Sequence, residues 1–440
     1  MPVRAELLVR RYYAYAGIYT LAASIIWGVN TLFMLDAGLS IAEVFIANAA
    51  WSAGTMIFEI PEGVVADTLG RRFSFLLSVV VLAITTLLYV GLAEVRAGLA
   101  GYVVVSVLIG LGFTFYSGAM EAWLVDGLRF HGYDGDLDKV FSRDQVVSGA
   151  AMLIGAVVGG VLGQLHLSIP FLVRSGLLGI LFFLAHVGMH DLGFEPKQVK
   201  MRHLPGEATR IARAGVRFGW GHRSLRLLML GTTAQMGVFA WAWYAGQPYF
   251  LELLGQDTVW VAGVVAALLA ASMMVGNGIV EIVTRWCGRR TTPILWAAAV
   301  FSFALVGVGA VTAFFPAVGL LCLGGVAMGV QRPVRQAFVH QIVPSEQRAT
   351  VVSFDSMLSG GGSVLGQTGL GAFSGGLGFS AGYIVGGLAT LMEIPLFGML
   401  RHDRDKADFF RGSNPDFACA APSVPAVSQV DGGVTPEATP

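Results

Sequence analysis

Long apolar stretches alternate with short polar intervals along almost the whole chain. A helix needs about 20 mostly apolar residues to cross a bilayer. Twelve stretches have this character: 13–34, 43–66, 73–93, 99–126, 144–165, 169–190, 225–251, 258–284, 291–312, 315–338, 349–373 and 378–400. The pattern predicts an all-α membrane protein with twelve transmembrane helices and with both chain ends on one side of the membrane.

The polar intervals also predict how the chain is divided. The N-terminal six-helix half occupies 1–190, and a linker follows at 191–224. The C-terminal six-helix half occupies 225–400, and the tail occupies 401–440. Within the linker, Glu207 to Trp220 has the pattern of a short basic amphipathic helix, which suits a lipid surface better than a regulatory site. The tail is rich in Pro, Ser, Val and Ala from Gly412 onward and lacks periodicity, which predicts disorder.

Composition supports a membrane location and predicts the orientation. Charged residues make up 13% of the chain, against about 25% in soluble domains. Almost all Lys and Arg fall in the two tails and in the loops on their side, so both termini are expected to be cytoplasmic. Arg96 lies in a loop on the other side, and Arg174 lies just inside the sixth span, where it can snorkel to the outer surface. The predominance of Arg over Lys favours a bacterial inner membrane.

A short basic loop between the second and third spans carries the most informative motif. It reads Gly63-Val64-Val65-Ala66-Asp67-Thr68-Leu69-Gly70-Arg71-Arg72. This Gly-x3-Asp-x2-Gly-Arg-Arg run resembles the signature of major facilitator superfamily transporters. A degenerate echo, Gly288-Arg289-Arg290, follows the eighth span. The resemblance implies two pseudo-symmetric halves that rock around a central cavity, exposing it first to one side and then to the other.

The resemblance also implies a gating latch in this loop. Gly63 permits close helix approach, Gly70 lets the chain reverse, and Arg72 adds positive charge. Asp67 would face the eleventh helix, and Arg71 would face an acidic residue at the end of the fourth helix, a place that Asp126 occupies. Alternatively, Arg71 and Arg72 serve only to hold the loop in the cytoplasm.

Four carboxylates within predicted spans are candidates for proton coupling. They are Glu59 in the second span, Glu121 in the fourth, Asp355 in the eleventh and Glu393 in the twelfth. Ionisable groups inside a membrane are costly and usually functional. Glu59 and Glu121 are the preferred candidates, while a permanent ion pair or a protonated carboxyl bonded to the backbone is the structural alternative.

Amphipathic side chains suggest the wall of a substrate cavity. If the family architecture holds, the first, fourth, seventh and tenth helices surround that cavity. The candidates are Trp27, Asn30, Phe113, Tyr116, Gln235, Phe239, Trp243 and Gln247. Aromatic walls with a few polar anchors suit a moderately hydrophobic organic molecule better than a sugar or an inorganic ion.

These features predict a secondary transporter driven by the proton motive force. The sequence has no Gly-x4-Gly-Lys-Ser/Thr loop for ATP, its histidines are scattered, and its cysteines lack metal spacing, so no enzyme, cofactor or metal is expected. The expected partners are a small-molecule substrate, protons and the lipid bilayer, with no nucleic acid, and the chain is expected to be a monomer.

The segments 59–63 and 121–126 resemble multidrug exporters, which favours efflux of a drug or secondary metabolite by antiport. Against this, Gly160 replaces a proline of the antiporter string in the fifth span. The alternative is proton-coupled uptake of a small organic solute.

Overall fold

The computed structural model describes residues 3–194, 206, 213, 215–344, 347–403 and 405–410. Most of the predicted linker helix and the tail beyond Phe410 lie outside these residues. The described part is almost entirely helical. Its α-helices are α1 (Val3–Ser24), α2 (Asn30–Asp36), α3 (Ile41–Leu69), α4 (Arg71–Glu94), α5 (Leu99–Phe130), α6 (Leu137–Leu165), α7 (Ile169–Gly188), α8 (Arg223–Leu254), α9 (Val259–Gly278), α10 (Val280–Arg285), α11 (Thr291–Ala310), α12 (Phe314–Ile342), α13 (Arg348–Thr390) and α14 (Glu393–His402).

Within the described ranges, nine helical segments are long and apolar enough to cross a membrane. The last of them makes two passes, because the chain reverses at Gly378, where φ is 84°. After this reversal Gly382 lies against Ser374, and Gly386 lies against Leu370. Together with α1–α2 and α8, which pack alongside, the arrangement is consistent with twelve passes. The prediction of an all-α membrane protein is confirmed.

The first span differs from its prediction in both length and continuity. Helix α1 begins at Val3 rather than near residue 13, so Arg4, Arg10 and Arg11 belong to the helix. The helix then breaks at residues 25–29 and resumes as α2. Apolar periodicity did not reveal the break, because the side chains around it are as apolar as those of an unbroken span.

The helix bundle has two end faces, a terminal face and a distal face. The terminal face holds the start of α1 and residues 405–410. There Arg11 donates to the carbonyl oxygen of Gly188 at 2.7 Å, and Ser224 donates to Asp405 at 3.0 Å. The distal face is at the opposite ends of the helices and includes the turns 37–40 and 255–258.

The first part of the predicted tail lies against the helix bundle. Residues 405–410 pack against the start of α11, where Arg290 donates side-chain hydrogen bonds to the carbonyl oxygens of Ala407 at 2.9 Å and Phe409 at 2.7 Å. The buried Asp408 accepts from the backbone N–H of Thr291 at 2.7 Å. These partners lie more than a hundred residues away, so composition could not show them.

Asp191 and Asp408 perform equivalent tasks after the sixth and twelfth passes. Asp191 accepts from the backbone N–H of Arg72 at 2.8 Å, as Asp408 does from Thr291. Each carboxylate thus meets the positive N-terminal end of a helix, α4 or α11. Burial raises the pKa of both carboxyls, and the hydrogen bonds that they accept oppose this shift. The two halves of the bundle therefore repeat an electrostatic contact as well as a helix pattern.

Candidate functional site: a central cavity and a charged loop

A cavity of about 920 Å³ lies at the centre of the bundle. Side chains from α1–α7 of the first half line it together with side chains from α8, α9, α12 and α13 of the second. Its size falls within the range of pockets that enclose small organic ligands. The wall is mainly aromatic and aliphatic, with amides, hydroxyls and two arginines, Arg174 and Arg332, interspersed.

Gln247 on α8 closes the distal end of the cavity. Its Nε2 donates to the carbonyl oxygen of Trp27 at 2.7 Å, and its Oε1 accepts from the backbone N–H of Thr31 at 2.7 Å. Both backbone groups are available because the first span breaks between α1 and α2. The first N–H groups of a helix have no intrahelical acceptor. One buried amide therefore satisfies both groups and joins the two halves of the bundle.

Three glycines bring the helix backbones together on the same side of the cavity. A Cβ on Gly28 would lie 2.7 Å from the Cα of Gly263, and a Cβ on Gly160 would lie 2.9 Å from the same atom. Such distances are too short for any larger residue unless the helices separate. The glycine of α6 and that of the α1–α2 break thus pack directly against α9 of the other half.

Helices α3 and α13 join the halves along a second line. Near the distal face, a Cβ on Gly375 would lie 3.9 Å from the Cβ of Ala42. Farther inward, Gln367 donates to Ser52 at 2.9 Å. These contacts, together with those of Gln247 and the three glycines, join the two halves at the distal end of the cavity and make up its distal seal.

Five of the predicted cavity residues line the cavity: Trp27, Asn30, Phe113, Phe239 and Trp243. The other three lie elsewhere. Tyr116 stacks behind Tyr19, with ring centroids 3.5 Å apart. Gln235 faces α12 and donates to Gln331 at 2.7 Å, while Gln247 belongs to the distal seal. The helical face of a residue could not distinguish positions that line the cavity from positions that contact a neighbouring helix, because polar side chains occur at both.

Arg174 is the main residue that the sequence assigned to the wrong place. It does not reach the outer surface: only 6% of its surface is exposed, and its side chain lines the cavity. The available signal was the presence of an arginine within an apolar helix, which usually indicates a function. Phe171, three residues earlier on the same helical face, lines the cavity as well.

The predicted latch residues of the charged loop lie close together. Arg71 is 2.7 Å from Asp67, and its Nε is 3.8 Å from the carboxylate of Asp126. Gly70 has a φ of 105°, a conformation that favours glycine. Gly63 lies within α3. The role of Asp67 against the eleventh helix stays a prediction.

Arg72 fastens the same loop to the end of the sixth span. Its side chain donates to the carbonyl oxygen of His186 at 2.7 Å, and its backbone bonds to Asp191. Neither contact follows from the motif, because both partners belong to a distant segment. The loop is therefore held by groups from the fourth span, the sixth span and the segment that follows the sixth span.

The four candidate proton carriers occupy different environments. Glu59 and Glu121 are exposed, Asp355 forms an ion pair with Arg335, and Glu393 is fully buried with no hydrogen bond to either oxygen. Sequence reasoning also missed Glu62, which is buried one turn from Glu59. None of the five is among the described residues that line the central cavity.

Exchanging the charges of Arg71 and Asp126 tests their coupling. Arg71→Asp or Asp126→Arg alone places like charges together and is expected to slow transport with normal membrane insertion. The double exchange is expected to recover part of the loss, because it restores one opposite pair. Pairwise coupling of contacting charges is about 0.5–3 kcal/mol. The measurement is a double-mutant cycle on transport rate, and strictly additive losses would rule out coupling.

Comparisons with known proteins decide the family. The family model for the Major Facilitator Superfamily matches residues 13–295, which is more than half of the chain. The chain belongs to the Major Facilitator Superfamily. The resemblance read from the loop motif is thereby confirmed, and members of this family are transporters of small molecules rather than enzymes.

One curated relative and two solved structures illustrate this membership. An uncharacterized MFS-type transporter, YxaM of Bacillus subtilis (strain 168), is 19% identical over 403 residues, which are 90% of this chain and 96% of the relative. The nucleoside transporter NupG has a TM-score of 0.73 at 14% identity, covering 90% of this chain and 99% of its own. A bacterial homolog of the human lysosomal transporter Spinster, solved in an inward-facing and unoccupied conformation, has a TM-score of 0.71 at 14% identity, covering 93% and 100%. At these identities the structural likeness establishes the fold alone.

Proposed function

We propose that this superfamily member is a proton-coupled secondary transporter that exports a small organic compound, a drug or secondary metabolite, by alternating access. The observation that carries this proposal is the central cavity, which both halves line and which contacts between the halves seal at one end. A compound could leave through the sealed end only if the halves move apart there. Alternating access requires that motion.

The orientation proposed from the charges makes the terminal face cytoplasmic. Both termini and the linker 191–224 would then lie in the cytoplasm of a bacterial cell. The halves 1–190 and 225–400 would each contribute six membrane-spanning helices. The sealed distal end would face outward, and the conformation described here would be the inward-facing one. The cluster of Asp67, Arg71 and Asp126 would lie at the cytoplasmic side, where a latch between the halves would favour the outward-facing state.

Glu59 and Glu121 are the proposed proton carriers. Both are exposed near the inner ends of their helices, where a proton can be exchanged with water. Asp355 is less suited because its carboxylate is already paired with Arg335. Glu393 is less suited because it is fully buried within the helix bundle.

Export is preferred over uptake because the aromatic wall of Trp27, Phe113, Phe239 and Trp243 suits a moderately hydrophobic compound that enters from the cytoplasm. Proton-coupled uptake of a small organic solute is the second candidate. The direction of substrate movement under an imposed pH gradient distinguishes the two.

Replacing Glu59 and Glu121 tests the proton coupling. Proteoliposomes containing a pH-sensitive dye are exposed to a panel of organic compounds, and compound-induced proton movement identifies those that are transported. Glu59→Gln or Glu121→Gln removes the titrating group at nearly constant volume, so gradient-driven accumulation is expected to collapse. Exchange of labelled for unlabelled compound should continue, because exchange needs the cavity but no net proton movement.

Asp355→Asn serves as the comparison, since an ion-paired carboxylate is expected to contribute to stability rather than to coupling. Full gradient-driven transport in the Glu59→Gln, Glu121→Gln double variant would contradict this assignment. If no compound in the panel moves protons or is itself moved, the proposal of a proton-coupled exporter fails as a whole.

A further inference from the structure

Arg174 is a buried cation in the wall of the cavity. It lies in α7, one and a half turns from the distal end of that helix, and 6% of its surface is exposed. Its Nε has no hydrogen-bond partner. Among the described residues, no aspartate or glutamate forms an ion pair with it. A buried charge without a counter-ion is unfavourable, so the position calls for an anion.

The groups around the guanidinium are hydroxyls rather than carboxylates. Tyr19 on α1, Tyr89 on α4 and Tyr244 on α8 lie near enough to interact with its charge, and all three line the cavity. The hydroxyl of Tyr19 is buried and lacks a hydrogen-bond partner, whereas Tyr89 shares a hydrogen bond with Ser106 at 2.5 Å. A guanidinium without a counter-ion and a tyrosine hydroxyl therefore lie close together in the cavity wall.

The charge of the whole cavity wall also favours an anionic ligand. Its described wall contains two arginines, Arg174 and the exposed Arg332, and no acidic residue. An organic cation would meet only like charges there, and a neutral compound would leave the buried guanidinium unpaired. In the same cavity wall, Trp27 and Trp243 meet edge to face, with ring centroids 6.0 Å apart. They offer an aromatic surface for the body of a ligand.

We propose that Arg174 binds the carboxylate of an organic anion and that the substrate is a small aromatic or apolar monoanion. This inference rests on the proposed transport function and names its substrate class. The planar guanidinium can donate two parallel hydrogen bonds to a carboxylate, a geometry that lysine cannot reproduce. The hydroxyl of Tyr19 adds a third donor, and the body of the substrate packs on Trp27 and Trp243. Arg174 belongs to the first half and the neighbouring Tyr244 to the second, so the anion is held where both halves meet.

Three probes with one ring system and different charge test the inference. Indole-3-acetate, indole-3-acetamide and tryptamine are titrated into the full-length protein in lipid nanodiscs by calorimetry, with empty nanodiscs as the control for partitioning. The carboxylate is expected to bind about tenfold or more tightly than the amide, and tryptamine is expected to bind least. Equal or tighter binding of the amide or the amine, or no binding of the carboxylate at millimolar concentration, would overturn the inference.

Substitutions locate the effect on the arginine. Arg174→Gln is expected to weaken carboxylate binding about tenfold to a hundredfold, the loss typical of a hydrogen-bonded charge, while binding of the amide changes little. Arg174→Lys should recover only part of the affinity. Arg96→Gln, an exposed position near the distal face, is the matched control and should bind as the wild type does. Carboxylate binding that is unchanged in Arg174→Gln would refute the assignment.

Two further measurements keep the result decisive. If Arg174→Gln does not fold, Tyr19→Phe replaces it. A smaller loss of carboxylate binding is expected, and carboxylate binding equal to that of the wild type is the contrary result. Separately, a cavity cysteine that impermeant reagents label from both sides of the membrane supports alternating access whatever the substrate. Labelling from both sides without a carboxylate preference leaves the transport function intact and rejects only the anion site. Labelling from one side alone counts against the transport function itself.

Discussion

A disulfide between residues 42 and 375 is expected to lock the distal face shut. In the structure, a Cβ at position 375 would lie 3.9 Å from the Cβ of Ala42, and disulfides span about 3.8 Å between these atoms. The two positions belong to different halves, on α3 and α13. The Ala42→Cys, Gly375→Cys variant, prepared with Cys287, Cys322 and Cys419 replaced by Ser, should therefore cross-link in the conformation described here.

The consequence is measured at Ala240, which lines the cavity on α8. Ala240→Cys is added, the cross-link is formed and verified, and an impermeant maleimide is applied to either face of the membrane. Labelling from the distal face should disappear after cross-linking and return on reduction, while labelling from the terminal face continues. Each single cysteine, at 42 or at 375, is the control and should label normally. Distal labelling that survives a complete cross-link would mean that the distal seal is not the gate.

Gly263→Leu is expected to have the opposite effect and to hold the distal face open. A side chain at Gly263 would meet the Cα of Gly160 at 2.8 Å on the neighbouring helix of the other half. Overpacking of this kind costs about 1–3 kcal/mol, and every 1.4 kcal/mol changes an equilibrium tenfold. Because the added side chain opposes only the closed arrangement, the population should shift about tenfold to a hundredfold toward the distal-open state.

The labelling rate of Ala240→Cys measures this shift as well. Gly263→Leu should raise the labelling rate from the distal face and lower the rate from the terminal face. Gly179→Leu is the matched control, since a side chain at that position on α7 would meet nothing within 4 Å. A Gly263→Leu protein that inserts normally but labels like the wild type would show that the glycine contact does not limit opening.

Several features could be read directly from local patterns. Apolar runs of sufficient length predicted the spans, since the requirement to cross a bilayer applies to each segment separately. The loop motif predicted which residues would gather around Arg71, and the structure places Asp67 and Asp126 within 4 Å of it. Five cavity residues were found because bulky aromatic and amide side chains are unusual within an apolar helix. Their functional roles stay predictions.

The sequence by itself determined that this protein is helical, that it lies in a membrane and that it belongs to a transporter superfamily. Each of these properties rests on segments whose requirements are local. Only the tertiary structure decided which helical faces meet the cavity, because lipid, a neighbouring helix and an aromatic cavity all accept the same apolar side chains. Arg174 turned inward rather than outward, Gln247 became part of a seal, and Asp408 became a helix cap. Each depends on a partner far along the chain, and no local pattern records such a pairing.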